Sequence, residues 1–190
     1  MTKKKKRLAF SINMDRCIGC NACTISCKSF YDLEPSINRR FVRESDEMLT
    51  GTAKRCYIST ACNHCDEPAC AKACPTGAYT KLENGIVKHD QERCIGCQMC
   101  ATACPYEVPQ FDTVKKKMDK CSMCSDRIDE GEDTICVSSC PMEAISIIDL
   151  NSINESDYVT DVAGFVDSTI TGSSTRFILP EASHSVRRKQ

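Results

Sequence analysis

The sequence lacks the features that would make it a membrane span or an enzyme. Its 190 residues contain no tryptophan, and no apolar stretch approaches the roughly 20 residues of a transmembrane helix. It has no Gly-rich phosphate loop, no nucleophile elbow and no HExxH motif. After the basic run from Lys3 to Arg7, only Leu8-Ala-Phe10 precedes Asp15, so no apolar core of a signal peptide is present. We expect a non-catalytic chain that neither spans a membrane nor carries its own signal.

Cysteine is what the sequence has in excess. It contains 17 cysteines, and only Cys56 falls outside four tetrads. The first tetrad is Cys17, Cys20, Cys23 and Cys27; the second is Cys62, Cys65, Cys70 and Cys74; the third is Cys94, Cys97, Cys100 and Cys104; the fourth is Cys121, Cys124, Cys136 and Cys140.

The spacing within the tetrads is typical of iron-sulfur ligands. In bacterial-type ferredoxins the run C-x2-C-x2-C-x3-C-P supplies three thiolates to one [4Fe-4S] cluster and the fourth to a second cluster. The third tetrad matches this run fully, and the first has Lys28 where proline is expected. The second and fourth tetrads have longer gaps but still end in Cys-Pro. The sequence therefore predicts four [4Fe-4S] clusters bound by these sixteen cysteines.

Two other uses of cysteine fit the pattern poorly. A disulfide framework is disfavoured by the odd number of cysteines and the absence of a secretory segment. Paired C-x2-C motifs can bind zinc, but a zinc ribbon has no use for the repeated third cysteine and the trailing Cys-Pro.

Internal repetition predicts a duplicated fold. The sequence Arg16-Cys-Ile-Gly-Cys20 recurs as Arg93-Cys-Ile-Gly-Cys97, and Cys70-x3-Cys74-Pro75-x2-Ala78 recurs as Cys136-x3-Cys140-Pro141-x2-Ala144. This pattern indicates a duplicated two-cluster ferredoxin of the α+β class, rich in loops. Two arrangements are compatible with it: tetrads that are neighbours in sequence pair with each other, or the inner tetrads pair and the outer ones close around them. The spacing alone does not decide between these two.

Secondary structure is predicted to be sparse. Residues 8–14 and 144–150 are strand candidates, and residues 79–88 are expected to form a hairpin that turns at Asn84-Gly85. Helical segments should be single turns. We expect a basic tail at 1–7, a double ferredoxin domain at 8–150, and an extended C-terminal arm at 151–190. Within that domain the inner unit is expected at about 55–112, and the outer unit should combine 8–54 with 113–150.

These residues resemble a known family, the four-cluster electron-transfer subunits of the dimethyl sulfoxide reductase superfamily. The resemblance runs from about Phe10 to Ile148 and includes the missing proline after the first tetrad and the eleven-residue gap in the fourth. The matching motifs are Asp15-Arg-Cys-Ile-Gly-Cys20, Cys62-Asn-His-Cys-Asp-Glu-Pro-Ala-Cys70, Cys94-Ile-Gly-Cys97, Cys104-Pro-Tyr106, Lys120-Cys-Ser-Met-Cys-Ser-Asp-Arg127, and Glu130-Gly131 before Cys136.

What the resemblance implies is the nested arrangement, with ligand sets that mix the tetrads. Set A is Cys17, Cys20, Cys23 and Cys140; set B is Cys27, Cys121, Cys124 and Cys136; set C is Cys62, Cys65, Cys70 and Cys104; set D is Cys74, Cys94, Cys97 and Cys100. Some relatives replace one cysteine of the third tetrad by an aromatic residue and hold a three-iron cluster. Because Cys97 is present here, four [4Fe-4S] clusters are expected.

By the same resemblance, the chain relays electrons between a large molybdopterin catalytic subunit and a membrane anchor that exchanges electrons with quinol. The outer pair of clusters would face the catalytic subunit, and the inner pair would face the quinone side. The alternatives are a polyferredoxin associated with a hydrogenase or formate lyase, and a free polyferredoxin carrier. No nucleic-acid partner is expected. Assembly would take place in the cytoplasm, and in this family a signal-bearing partner often takes the folded complex across the membrane.

A few residues outside the ligand sets have open roles. His64 lies between two ligands and would either tune a cluster by hydrogen bonding or be an ordinary loop residue. Cys56 is expected to be a small buried apolar residue rather than a ligand or redox thiol. The basic tail is expected to be solvated rather than bound to a membrane surface. The C-terminal arm has no cysteine and too few apolar residues for a core, so it would pack on the catalytic partner or be disordered.

Overall fold

The computed structural model describes residues 6–45 and 56–180, which form short strands and short helices. The strands are β1 (Leu8–Asn13), β2 (Phe41–Ser45), β3 (Cys56–Thr60), β4 (Tyr79–Lys81), β5 (Val87–His89), β6 (Gln110–Asp112), β7 (Lys117–Asp119), β8 (Ile145–Asp149) and β9 (Arg176–Ile178). The helices are α1 (Ala22–Phe30), α2 (Ala69–Lys72), α3 (Met99–Ala103), α4 (Ser125–Asp129) and α5 (Ile135–Ser138). Within these described ranges, no helix has the length and apolar character needed to cross a bilayer.

The largest sheet joins the two ends of the described chain in the order β8-β1-β9. Strand β1 pairs antiparallel with β8, from Leu8 opposite Asp149 to Ile12 opposite Ile145. Both strand predictions at these ends are confirmed. On its other edge β1 pairs in parallel with β9, where Ile12 lies opposite Phe177. Because β1 is central, its side chains are buried on both faces.

The other described strands form three two-stranded ribbons: β2 with β3, β4 with β5, and β6 with β7. The ribbon of β4 and β5 pairs Tyr79 with His89 and turns through Gly85, whose φ is +89°. This confirms the predicted hairpin. The ribbon of β6 and β7 follows the third tetrad in the same way and turns at Lys116, whose φ is +55°.

Four of the helices are single turns, but helix α1 is not, so the prediction of single turns is wrong for the first tetrad. The reason is Lys28. A residue that precedes proline avoids the helical region, and Cys104, which precedes Pro105, ends α3 with an extended ψ of 113°. Cys27 precedes Lys28 instead, so α1 continues for nine residues through the fourth cysteine of its tetrad to Phe30. The Lys28 ammonium then donates to the carbonyl of Pro35 at 2.6 Å.

Four of the five described helices pack in two pairs. Helix α1 of the first tetrad contacts α5 of the fourth, and α2 of the second tetrad contacts α3 of the third. The main apolar core contains Phe10, Ile12, Met14 and Met123, while a smaller one surrounds Tyr79 near α2 and α3. The fold is thus a small α+β protein in which the cysteine loops lie around two apolar cores.

The described part of the predicted arm, residues 151–180, lies against the ferredoxin body. Phe177 has none of its surface exposed and packs in the main core, with Val162 and Leu179 beside it. The polar composition predicted that this segment has too few apolar residues for a core of its own, and in the structure it contributes to the core of the body instead. Residues 181–190 and most of the basic tail lie outside the described residues.

Candidate iron-sulfur centres

All four cysteine loops share one unusual backbone feature. The residue just before the second cysteine of each tetrad has a left-handed φ: Gly19 at +72°, His64 at +43°, Gly96 at +70° and Met123 at +54°. A Cβ at Gly19 would press on the Tyr57 ring, and one at Gly96 would meet the carbonyl oxygen of Lys116. Glycine is therefore required sterically at those two positions. His64 and Met123 have the same backbone without glycine, a similarity that the sequence did not reveal.

Set C surrounds a small cavity of about 20 Å³, whose lining includes Cys62, Cys65, Cys70 and Cys104. The first three come from the second tetrad, whereas Cys104 comes from the third. Burial raises the pKa of the Cys65 thiol, the Thr171 hydroxyl opposes this rise, and with the nearby Cys62 and Cys104 the pKa reaches about 11. The structure therefore places the four thiols of set C around one space.

Set A surrounds a second small cavity of about 20 Å³, whose lining includes Cys17, Cys20, Cys23 and Cys140. Here three thiols come from the first tetrad and Cys140 from the fourth. Burial raises the pKa of Cys17, and the neighbouring Cys23, Cys140 and Cys20 add to this effect, although the amide of Gly19 lowers it. The two cavities are similar in size, and each combines three thiols of one tetrad with the last thiol of another.

The thiols of set B are buried near one another. Burial raises the pKa of Cys27 to about 12, with further contributions from Cys121, Cys136 and Cys124. Helix α1 carries Cys27 and helix α5 carries Cys136, so the contact between these helices brings the two thiols together.

For set D the structure gives the burial of the individual cysteines. Cys100 is buried in the smaller core, and Cys74 and Cys94 are partly buried against that core. Cys97 lies exposed at its loop. Cys56, outside all sets, is 1% exposed in β3, so the expected burial of this residue is confirmed.

Backbone amides point at sulfur in a repeated pattern. The Ala78 amide donates to Cys74 Sγ at 3.3 Å, and the Ala144 amide donates to Cys140 Sγ at 3.2 Å. These are equivalent positions of the Cys-Pro-x-x-Ala repeat. The Met123 amide donates to Cys121 Sγ at 3.3 Å in the same manner as the Gly96 amide to Cys94 Sγ at 3.4 Å. Such bonds favour the thiolate form that iron requires.

Each ligand set also has a hydroxyl within reach of one sulfur. The pairs are Ser59 with Cys23 at 3.4 Å in set A, Thr134 with Cys136 at 3.4 Å in set B, Thr171 with Cys65 at 3.1 Å in set C, and Thr76 with Cys74 at 3.5 Å in set D. Only Thr171 comes from beyond the ferredoxin repeat. The sequence contained no signal for these contacts.

Buried cations lie among the thiols. Arg40 is 2% exposed, sits 4.5 Å over the Phe10 ring, and interacts electrostatically with Cys136, Cys121 and Cys23. Lys120 is 4% exposed, and its ammonium lies 3.6 Å from Cys62 Sγ. A buried cation next to thiolates offsets negative charge that would otherwise be costly in an apolar interior.

Several buried donors among the described residues have no protein partner. His64 accepts the Val87 amide at Nδ1 over 3.0 Å, so its proton is on Nε2, which has no partner. Burial, Lys120 and Arg40 hold the pKa of His64 well below its usual value, so the ring is neutral. Arg40 Nη2 is likewise unpartnered. Buried donors normally find acceptors, and cluster sulfides would supply them. The four thiols that line each of the two cavities, the amide donors and the buried cations therefore fit [4Fe-4S] groups well.

Comparison with known families agrees with this chemistry. The 4Fe-4S dicluster domain family matches residues 53–150, and a 4Fe-4S binding domain family matches residues 14–32.

Among curated proteins, the sequence is 42% identical to a subunit of the anaerobic dimethyl sulfoxide reductase of Escherichia coli K12, covering 72% of this chain and 70% of that protein. It is 39% identical to the thiosulfate reductase electron transfer subunit of Salmonella typhi, covering 68% and 69%. It is 34% identical to the formate dehydrogenase iron-sulfur subunit of Wolinella succinogenes, covering 80% and 86%. These relatives do not favour a hydrogenase- or formate-lyase-associated polyferredoxin.

The cysteine content, the sulfur environment and these similarities agree on one cofactor type, the [4Fe-4S] cluster, and on a role that is not catalytic by itself. The protein belongs to the iron-sulfur electron-transfer subunits of the dimethyl sulfoxide reductase family.

Proposed function

We propose that sets A to D each hold one [4Fe-4S] cluster in a nested, duplicated ferredoxin fold. The observation that carries this proposal is the mixed lining of the two cavities. Cys104 lies with the first three cysteines of the second tetrad, and Cys140 lies with those of the first. The pairing of α1 with α5 and of α2 with α3 supports the same nesting.

Bound clusters supply one-electron carriage, and the protein's own residues provide the conditions for it. The thiols hold the iron, while the amides of Ala78 and Ala144 donate to ligand sulfurs. Arg40 and Lys120 offset the negative charge of buried sulfur ligands, which makes reduction less costly. Eight of the sixteen predicted ligands are buried and six are partly buried, whereas Cys20 and Cys97 remain exposed.

The exposed cysteines suggest where electrons enter and leave. Cys20 and Cys97 belong to the two equivalent C-I-G-C loops, and the isoleucines of these loops, Ile18 and Ile95, are 54% and 66% exposed. We assign the Ile18 side to a large molybdopterin catalytic subunit and the Ile95 side to a membrane anchor that exchanges electrons with quinol. The outward side of the 151–190 arm would also meet the catalytic subunit. The complex would assemble in the cytoplasm, and a signal-bearing partner could export it.

Anoxic purification of the tagged chain in mild detergent tests this function. We expect about sixteen iron atoms per chain, co-purification of a large subunit containing molybdenum or tungsten, and an integral membrane protein. Reduced viologen should then bleach the clusters, and addition of the partner's substrate should reoxidise them. Nickel in place of molybdenum would contradict the assignment of the catalytic partner, and about eight iron atoms would contradict four clusters.

A further inference from the structure

Residues 168–175, here called the Ser/Thr strap, form a buried polar segment within the C-terminal arm. Its buried members are Ser168, Thr171, Ser173, Ser174 and Thr175, each exposed by 7% or less. Buried polar side chains are costly unless they are hydrogen-bonded. The hydrogen bonds that the strap makes therefore explain why these polar side chains can be buried here.

The strap is held on the loop of the second tetrad. The Asp66 amide donates to the Gly172 carbonyl at 2.8 Å, and the Glu67 amide donates to the Thr171 carbonyl at 3.0 Å. Further along, the Thr175 hydroxyl donates to Asn63 Oδ1 at 2.7 Å. Gly172 has a φ of +62°, and a Cβ there would lie 2.9 Å from the Asp66 Cβ, so the two segments are closely packed.

The strap brings one hydroxyl to a ligand sulfur. Thr171 Oγ1 lies 3.1 Å from Cys65 Sγ and 3.2 Å from the Tyr106 hydroxyl oxygen. Tyr106 follows Cys104-Pro105, so Thr171 touches segments that carry two ligands of set C. Its contact to sulfur is the shortest of the four hydroxyl contacts described above. The two main-chain hydrogen bonds accepted by the Thr171 and Gly172 carbonyls fix the backbone at this residue. The Thr171 hydroxyl is therefore held beside Cys65 Sγ.

We propose that Thr171 sets the reduction potential of the set C cluster through the hydrogen bond from its hydroxyl to Cys65 Sγ. This inference rests on the proposed function, since it requires a cluster at set C. Adding an electron increases the negative charge on the ligand sulfurs, and a donor aimed at one of them stabilises the reduced form more than the oxidised form. The bond lies in a partly buried site, where such interactions are stronger than in water. The C-terminal segment thus acts on electron transfer and is more than a packing element.

The test is redox titration of the whole anoxic complex, monitored by electron paramagnetic resonance, with T171V and T171S. Valine keeps the shape of threonine but removes the hydroxyl. We therefore expect the equilibrium constant for reduction of one cluster to fall about tenfold, which lowers its reduction potential by about 59 mV for a one-electron couple. The other three should not change. Serine keeps the hydroxyl and should stay near the wild-type value. T169V is the matched control, because Thr169 is an exposed threonine of the same strap whose hydroxyl bonds to Asp167.

The outcomes separate this proposal from the function on which it rests. An iron-free wild-type chain would overturn both. Full iron content with no change of any potential in T171V would overturn only the role of Thr171. Equal shifts in T171V and T171S would assign the effect to packing and also overturn it. If T171V fails to load iron, T171A, which adds no bulk, provides the same comparison with T171S.

Discussion

The cavities of sets A and C are built from the same kind of loop but have different surroundings. Both have four thiols contributed as three plus one, and both are bordered by the proline that follows the fourth cysteine. Set C lies beside buried Lys120 and the Ser/Thr strap, whereas set A lies under Ile18 and Met142, which are 54% and 36% exposed. The spacing of the cysteines therefore determines where the thiols lie. Residues distant in sequence determine the polarity around them.

The largest effect is expected from removing one of the four thiols that line the set C cavity. Cys104→Ala should remove the same redox transition as Cys62→Ala and lower the iron content by about a quarter, because both thiols line the set C cavity. Iron analysis and paramagnetic resonance of the purified complex measure this. Cys56→Ala is the control and should keep full iron content. If C104A instead removed the transition lost in Cys94→Ala, the nested arrangement would be wrong.

A large electrostatic effect is expected at Lys120. Lys120→Met keeps most of the side-chain volume but removes the ammonium 3.6 Å from Cys62 Sγ. Hydrogen bonds to charged groups contribute about 1.5–3 kcal/mol, so the potential of the set C cluster should fall by on the order of 100 mV. The set A potential should stay constant.

Lys88→Met serves as the control for Lys120, because Lys88 is 46% exposed and pairs with Asp126 at the surface. A shift of the same size in this variant would mean that net charge, and not the buried position, controls the potential. Redox titration with iron analysis on the same samples distinguishes these results.

Helix α1 offers a test of the difference between the first tetrad and the other three. Lys28→Pro would restore the ferredoxin consensus but place proline inside a nine-residue helix, at a cost of about 3 kcal/mol. We expect a clear loss of resistance to guanidinium, measured as the midpoint at which the visible cluster absorbance disappears. Lys28→Ala loses only the ammonium contacts and should shift this midpoint less. Equal effects would show that the side chain, and not the helix, matters here.

The smallest effect is expected at Glu143. This residue has a left-handed φ of +47°, while Gly77 occupies the equivalent position of the second tetrad at +59°. Glu143→Gly would relieve about 1 kcal/mol of backbone strain, but the loss of an exposed ion pair with Arg16 and the greater flexibility of glycine in the unfolded chain together cost a similar amount. The two should nearly cancel, leaving the guanidinium midpoint within experimental error of wild type. A large drop would show that the ion pair is worth more than its exposure indicates.

The cysteine pattern and short-range signals predicted much of this molecule. The cysteine spacing predicted the cofactor, the resemblance of the motifs predicted the family, and strand candidates at 8–14 and 144–150 with an Asn-Gly pair predicted β1, β8 and the hairpin after the second tetrad. The ligand sets came from the resemblance and remain proposals that the cavity linings support.

What the sequence did not predict depends on contacts between distant residues. Strand β9 has only three residues, and its neighbour β1 lies at the other end of the protein, so no local pattern indicated it. The Ser/Thr strap has the composition of a disordered segment. It is ordered because the loop of the second tetrad offers amides and carbonyls that match its own. Lysine is usually a surface residue, but Lys120 is buried, because the carbonyls of Val87 and Cys121 accept hydrogen bonds from its ammonium.

The position of β1 has a consequence for synthesis on the ribosome. Among the described strands it comes first in the chain, yet both of its neighbours in the sheet, β8 and β9, come after the last cysteine. Phe10 and Ile12 therefore leave the ribosome long before the two strands that flank β1 in the sheet are made. During that interval the thiols of set C, from Cys62 to Cys104, are already available for iron, while Cys140 emerges only just ahead of β8. Strand β1 can therefore pair with β8 and β9 only after Cys140 has been made. A polypeptide truncated between Cys104 and Cys140 would contain every thiol of set C but would lack the last thiol of set A and both strands that flank β1.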